Sequence, residues 1–295
     1  MGEILDGAAV AAELRGGVAT AVATLKARHG AVPCLAAVLV GDDPASHVYV
    51  AGKVKDTHEA GMRSLEVRLP AETTETDLIA RVAALSADPE VDGILVQLPL
   101  PAHIEANRVL AALDPAKDVD GLTEISAGRL ALAKPGLRPC TPEGAVILAK
   151  RAAPDLAGKH CVVLGRSILV GRPAALLFLA EHCTVTIAHS RTRDLPALCR
   201  SADVLVAAIG KAKFVQGDWI KPGAIVIDVG INSVPSTKNP GKRALVGDVD
   251  FKAAREVAGW ITPVPGGVGP MTRAGLLRNT LRAACARRGW ETPAI

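Results

Sequence analysis

A succession of short aliphatic runs, each breaking into glycine, proline or a polar loop and each followed by a stretch of helical character, constrains this chain more than any other feature. The runs fall at Cys34–Val40, Ser64–Leu69 and Gly93–Gln97, with helices expected at Ala45–Ala60, Thr74–Leu85 and Ile104–Leu113. Repetition of strand then helix predicts a parallel sheet covered by helices on both faces. The segment Leu132–Pro142, rich in glycine and proline, interrupts the alternation. A helix over Glu143–Arg151 leads into strand His160–Leu164, and the pattern resumes with helix Arg172–Glu181 and strands Thr184–Ala188, Val204–Ile209 and Ala224–Val229. The chain therefore reads as two α/β domains, residues 1–140 and 141–271. The last helix, Thr272–Arg287, lies in a C-terminal stretch, 272–295, that is expected to return to the first domain, since chain ends often lie close together.

Composition agrees with two folded domains. The 295 residues suffice for two buried cores, and 49% hydrophobic with 22% charged residues excludes a disordered or collagen-like chain. The 34 basic residues exceed the 30 acidic ones by only four, with no clustering, so a nucleic-acid-binding stripe is not expected. No charge-free apolar window approaches the roughly 18 residues of a membrane span. Glu3 and Asp6 occupy the N-terminal stretch where a signal peptide is basic, which points to a cytoplasmic protein with no membrane partner. The six cysteines form no CxxC and have no histidine at ligand spacing; they read as reduced core thiols rather than a zinc site or a disulfide framework.

The strand ending at Leu164 runs into Gly165-Arg166-Ser167-Ile168-Leu169-Val170-Gly171-Arg172-Pro173 and then a helix. A glycine turn there brings backbone N–H groups and the positive helix end toward a pyrophosphate. Ser167 stands in place of the middle glycine of the usual G-x-G-x-x-G, and the last glycine is one position late. Taken alone, the turn serves a dinucleotide or an ordinary strand–helix corner equally well. The next strand ends in His189-Ser190-Arg191-Thr192 instead of the acidic residue that holds a ribose 2′-hydroxyl in NAD sites. Hydroxyl and guanidinium groups suit a 2′-phosphate, which favours NADP; the alternative is a solvated loop in which Asp194 neutralises Arg191.

Tyr49, the single tyrosine, and Lys53 lie four apart and so share one helix face, with Ser46 three residues before Tyr49. A packed surface pair has the same spacing. Gln97 falls at the carboxyl end of its strand, where ligands sit in open α/β sheets, and a polar amide there can meet Lys53. Asp118-Val119-Asp120-Gly121 offers carboxylates in a tight turn. The stretch Thr262–Thr272 combines prolines and glycines, including Pro265, Gly266 and Gly267; it is either a structural turn or a stiff loop whose bare glycines admit a planar ligand.

Taken in order, S-x-x-YVxxK, DGILVQLPLP, KDVDG, PCTPEG, GRSxxVGRP, HSRT, AAIGK, IDVGIN, GDVDF and PVPGGVGPMT closely resemble the bifunctional methylenetetrahydrofolate dehydrogenase/methenyltetrahydrofolate cyclohydrolase family over nearly the whole chain. The resemblance implies an N-terminal folate-binding catalytic domain and a C-terminal Rossmann-like NADP-binding domain with a cleft between them, assembled as a homodimer. It implies NADP-dependent oxidation of 5,10-methylenetetrahydrofolate to the methenyl cation, then hydrolysis to 10-formyltetrahydrofolate, in one-carbon metabolism that serves purine biosynthesis. Lys53 matches the family's principal catalytic lysine, Gln97 its hydrogen-bond partner, Tyr49 the tyrosine beside the folate ring and Asp120 the carboxylate at the pterin's amino edge. Ser46, Pro265, Gly266 and Gly267 join the substrate site. Gly165, Arg166 and Ser167 match the dinucleotide turn, Ser190 and Arg191 the 2′-phosphate loop, and Ile231 a backbone contact near the nicotinamide. No metal is implied, because the nicotinamide supplies the redox chemistry and a carbon that is already cationic needs no Lewis acid to be hydrolysed. Departures are the Ile168-Leu169 pair, where a charged residue and Ile are common, and Arg273, where an apolar residue is common. Two rival readings are a dehydrogenase that has lost hydrolysis or acts on another small substrate, and a non-catalytic dinucleotide sensor; retention of Lys53, Gln97 and Asp120 argues against both.

Overall fold

The computed structural model describes residues 1–236 and 241–295. The chain opens with β1 (Glu3–Ile4) and α1 (Gly7–His29), then alternates β2 (Cys34–Val40), α2 (Pro44–Glu59), β3 (Arg63–Leu69), α3 (Glu75–Ala87), β4 (Gly93–Val96) and α4 (Ala106–Ala111). Two helices follow, α5 (Glu124–Ala131) and α6 (Cys140–Ala152). The second series runs β5 (His160–Leu164), α7 (Gly171–Ala180), β6 (Thr184–Ala188), α8 (Leu195–Arg200), β7 (Val204–Ala207) and β8 (Ile225–Asp228). It ends with β9 (Asn232–Pro235), β10 (Arg243–Val246), α9 (Phe251–Arg255), β11 (Trp260–Ile261) and α10 (Val268–Arg288).

These elements form two compact units. One, Ala12–Cys140 with Arg273–Ile295, is built on a parallel sheet of order β3-β2-β4. β2 is buried along its whole length, as befits a central parallel strand covered on both faces. Leu276 and Ala283 of α10 pack with Leu35, Leu39 and Leu95 of this sheet. The other unit, Met1–Ala11 with Thr141–Thr272, carries a six-stranded sheet of order β1-β11-β8-β7-β5-β6, parallel throughout. Its core gathers Val162, Leu164, Leu205, Val226 and Ile261.

Several features depart from the sequence reading. The first eleven residues belong to the large-sheet unit rather than to the unit that follows them, because Glu3 and Ile4 pair in parallel with Trp260 and Ile261. α6 starts at Cys140 instead of Glu143: Pro142 lies in its first turn, where a missing N–H removes no helical hydrogen bond. The antiparallel β9–β10 hairpin and helices α1, α5, α8 and α9 had no expected counterpart. By length and composition alone α1 passes for a membrane-crossing helix. In the structure its Val18, Ala21, Val22 and Leu25 pack against Ala60, Met62, Leu277 and Leu281, as a core helix does.

Candidate active site

In the small sheet β2 leads to β3 on one side, and β4 lies on the other, so the chain reverses its strand order between β2 and β4. Ligands of open α/β sheets bind at the carboxyl ends of strands beside such a reversal. α2 follows β2 there and Gln97 follows β4, which brings two separate stretches of sequence to one edge. Asp43 starts α2 as its N-cap, accepting from the Ser46 amide at 2.8 Å, with Pro44 in the first turn. Ser46 is buried and its hydroxyl donates to the same carboxylate at 2.8 Å, so in this structure it fixes the start of the helix. Tyr49 is 46% exposed. One turn further on, Lys53 Nζ donates to Gln97 Oε1 at 2.9 Å. Gln97 Nε2 donates to the Leu98 carbonyl at 2.6 Å, which fixes the amide so that its oxygen faces the lysine. Lys55 and Glu59 pair on the exposed side of the helix.

Burial lowers the Lys53 pKa below the ordinary lysine value; the charge of Asp120 opposes that shift and the guanidinium of Arg273 adds to it. The Asp120 carboxyl is displaced the other way, raised by burial and pulled back by Lys53 and by the neighbouring Cys140 thiol. Within the KDVDG turn the two carboxylates have different tasks. Asp118 accepts from the Leu122 and Thr123 amides at 3.0 and 2.8 Å, which is turn chemistry, whereas Asp120 interacts with Lys53. The cysteine pattern marks Cys140 only as a core thiol. It is buried, donates to the Val119 carbonyl at 3.2 Å and adjoins both Asp120 and Lys53. Its position between two prolines in PCTP gave no signal of that proximity.

The large sheet repeats the arrangement, with the strand order reversing between β5 and β7. Gly165 follows β5 at φ +131, and a Cβ there would lie 2.2 Å from the Ala208 carbonyl oxygen after β7. Gly171 opens α7, and a Cβ on it would lie 2.3 Å from the Gly165 carbonyl oxygen. Both glycines are therefore required by close backbone approach. Between them Arg166, Ser167, Ile168 and Leu169 are exposed, and Ser167 Oγ accepts from the Val170 and Gly171 amides at 3.1 and 3.3 Å. The hydroxyl thus ties the turn to the start of α7. After β6, Ser190 and Arg191 are both exposed; Asp194 caps α8 by accepting from the Ala197 amide, and Arg191 makes no ion pair among the described residues. Ile231 is 49% exposed in the loop after β8.

Pro265, Gly266 and Gly267 lie in this large-sheet unit, not in the unit of Lys53, Tyr49, Gln97 and Asp120. The bareness of Gly267 serves backbone packing: a Cβ would meet the Pro263 carbonyl oxygen at 2.5 Å, and a Cβ on Gly7 would meet the Gly267 carbonyl oxygen at 1.8 Å. Ala8 N donates to the Gly266 carbonyl at 3.0 Å, which fastens the loop to the start of α1.

A parallel α/β unit with a glycine turn at its strand-order reversal, and a second α/β unit that aims a half-buried lysine at a fixed amide, define a dinucleotide-dependent α/β enzyme. The description "Tetrahydrofolate dehydrogenase/cyclohydrolase, catalytic domain" matches residues 5–120, and "Tetrahydrofolate dehydrogenase/cyclohydrolase, NAD(P)-binding domain" matches residues 139–288. "Bifunctional protein FolD" of Hyphomonas neptunium is 64% identical over 291 residues, 98% of this chain and 97% of that protein; its namesake in Maricaulis maris is 60% identical over 285 residues, 96% of each. Among solved structures, the bifunctional FolD dehydrogenase/cyclohydrolase of Campylobacter jejuni superposes with a TM-score of 0.92 at 42% identity, covering 97% of this chain and all of that one. The Trypanosoma brucei dehydrogenase-cyclohydrolase, complexed with NADP cofactor and inhibitor, gives 0.91 at 39% identity, covering 97% and 98%. The chain belongs to the tetrahydrofolate dehydrogenase/cyclohydrolase family.

Proposed function

We propose that this chain is a bifunctional one-carbon folate enzyme that oxidises 5,10-methylenetetrahydrofolate with NADP to 5,10-methenyltetrahydrofolate and hydrolyses that product to 10-formyltetrahydrofolate. The observation that carries the reading is the 2.9 Å hydrogen bond from Lys53 Nζ to Gln97 Oε1, made by a lysine whose burial favours its neutral form. A neutral amine at that place is a base for water. The cradle of Gly165 and Gly171 and the free Ser190–Arg191 loop fit a dinucleotide bearing a 2′-phosphate. When bound, NADP supplies the hydride acceptor.

The chain's own residues do the rest. Tyr49, on the face of α2 that carries Lys53, offers an aromatic surface to the pterin, and Asp120 accepts from the pterin's amino edge, which fixes the one-carbon bridge near Lys53. In the hydrolytic reaction the oxygen of water bonds to the cationic bridging carbon while Lys53 Nζ takes a proton from it. Gln97 Oε1 accepts from the ammonium so formed. The bond from that carbon to N5 then breaks, the hydroxyl proton passes to N5 and the formyl group stays on N10. Ser46 acts by holding α2 in place. In the same reading Ile231 lies beside the nicotinamide, Arg166 and Ser167 line the pyrophosphate turn, and Pro265, Gly266 and Gly267 border the folate. The protein acts as a cytoplasmic homodimer that supplies one-carbon units to purine biosynthesis.

The test mixes the purified protein with 5,10-methylenetetrahydrofolate and either NADP or NAD, following reduced cofactor and methenyl product as separate signals. Reduction of NADP with methenyl decay faster than in the absence of enzyme is expected. Accumulation of methenyl product would leave a dehydrogenase alone, and no reduction of either cofactor would sink the reading.

A further inference from the structure

Two carboxylates in the large-sheet unit lie outside the roles given so far. Asp248 is fully buried in the turn between β10 and α9, and Asp228, also buried, ends β8. Asp248 Oδ2 accepts from the Ile209 and Gly210 amides at 2.7 and 2.9 Å, and its Oδ1 accepts from the Lys211 amide at 2.9 Å and from Asn232 Nδ2 at 2.8 Å. Three successive backbone N–H groups of the loop after β7 thus close around one carboxylate, and the first residue of β9, where the loop after β8 ends, is tied to the same group. The Asp248 amide in turn donates to Asp228 Oδ1 at 2.9 Å, the Val249 amide to Asp228 Oδ2 at 2.9 Å and the Gly230 amide to Asp228 Oδ1 at 3.0 Å. The glycines of these loops make room for the carboxylates: a Cβ on Gly230 would lie 2.3 Å from Asp248 Cγ, and one on Gly247 would lie 1.8 Å from Asp228 Oδ2.

The position of this hub relative to the sheet gives it a role. The loops it gathers follow β7 and β8, on the carboxyl edge where the Gly165 turn meets Ala208. Ser190 and Arg191 follow β6, on the opposite side of β5. A dinucleotide lying along this edge, with its 2′-phosphate at β6 and its pyrophosphate at the turn after β5, extends its nicotinamide half over the loops after β7 and β8. Those loops contain exposed Ile231 and are held in shape by a group too deeply buried to touch the ligand. We propose that Asp248 is the positioning residue of the nicotinamide half of the NADP site, acting through the Ile209–Lys211 backbone and Asn232; this rests on the NADP reading above.

The two activities separate this role from general structural support, because hydrolysis of preformed 5,10-methenyltetrahydrofolate uses no NADP. Asp248→Asn keeps the shape but turns one acceptor oxygen into an N–H donor facing the N–H groups that carboxylate now receives. The expected result is a KM for NADP raised on the order of tenfold or more and a lower dehydrogenase kcat. Hydrolysis of the preformed substrate is expected to stay within about twofold of the unmodified enzyme. NADP binding followed by titration calorimetry is expected to weaken in parallel with the KM. Unchanged NADP kinetics, or equal losses in both activities, would overturn the assignment. If Asp248→Asn does not fold, Asn232→Ala, which removes one of the four donors, takes its place; it is expected to raise the KM for NADP severalfold with hydrolysis unchanged, and an unchanged KM overturns the proposal. Failure of the unmodified enzyme to bind NADP would reject the cofactor reading and this inference with it, whereas normal NADP binding in both variants rejects this inference alone.

Discussion

The guanidinium of Arg273 on α10 donates to Asp56 Oδ1 on α2 at 2.5 Å and to the Gly52 carbonyl at 2.9 Å, spanning the helical turn that carries Lys53. Asp56 is buried and Arg273 about one-third exposed, so this ion pair is better shielded from solvent than an ordinary surface bridge. The pair brings a fixed positive charge near Lys53 and contributes to its lowered pKa. Arg273→Leu removes that charge and leaves the Asp56 carboxylate without its guanidinium. Both changes favour a protonated Lys53. The limb of the hydrolysis pH–rate profile governed by Lys53 is expected to move to higher pH by up to about one unit, with stability lowered by on the order of 2 kcal/mol. An unmoved limb in a folded variant would show that Arg273 supports α2 only mechanically.

Replacing Lys53 by Met conserves much of the side chain's length while removing the amine that hydrogen-bonds to Gln97. Hydrolysis of preformed methenyl substrate is expected to fall by about a hundredfold or more, the usual scale for removal of a general base. NADP affinity should be unaffected, because the glycine turn and the Ser190–Arg191 loop belong to the other unit. Persistent hydrolysis in the folded variant would exclude Lys53 as the base.

The parts of the fold that were legible in the sequence are those where local pattern and tertiary role coincide. The β2 run Cys34–Val40 is aliphatic because it is buried on both faces, and the structure places the strand over those same residues. α1 had no such signature: its alanines, valines and glycines surround the helix without a single apolar stripe, and its inward face is set by α10, more than 200 residues later in the chain. The meeting of Lys53 and Gln97 was legible because strand ends converge at one edge of a sheet. The Asp228–Asp248 hub was not. The aspartates of IDVG and GDVD stand 20 residues apart with no local pattern linking them, and only the tertiary placement of the turn after β10 against the loop after β7 and the end of β8 brings them together.

Arg191 stands exposed after β6 with no ion pair among the described residues, and Asp194 caps the start of α8. Arg191→Ala is expected to weaken NADP by on the order of tenfold while NAD, which lacks the 2′-phosphate, changes little. The comparison of KM values for the two cofactors is the measurement. Equal losses for both would place recognition of the 2′-phosphate elsewhere.

Asp228 makes the stability of the protein depend on pH with a sign opposite to that of a carboxylate held ionised by a salt bridge. Burial raises its pKa from 3.8 to about 7, against the three backbone amides that donate to it. Between those two values the folded chain holds a proton that the unfolded chain has released. Folded-state proton binding then exceeds that of the unfolded state, and stability falls as pH rises across that window. Asp228→Asn is neutral at every pH and carries no such slope, although its amide places a donor among donors and lowers stability overall. Urea unfolding of both proteins from pH 4.5 to 7.5 is therefore expected to show the advantage of the unmodified enzyme shrinking as pH rises and levelling off above about pH 7. Other titrating groups are common to both proteins and cancel in the difference. Parallel stability curves would mean that Asp228 is already ionised in the folded state at the acidic end, held there by its amide donors in spite of burial.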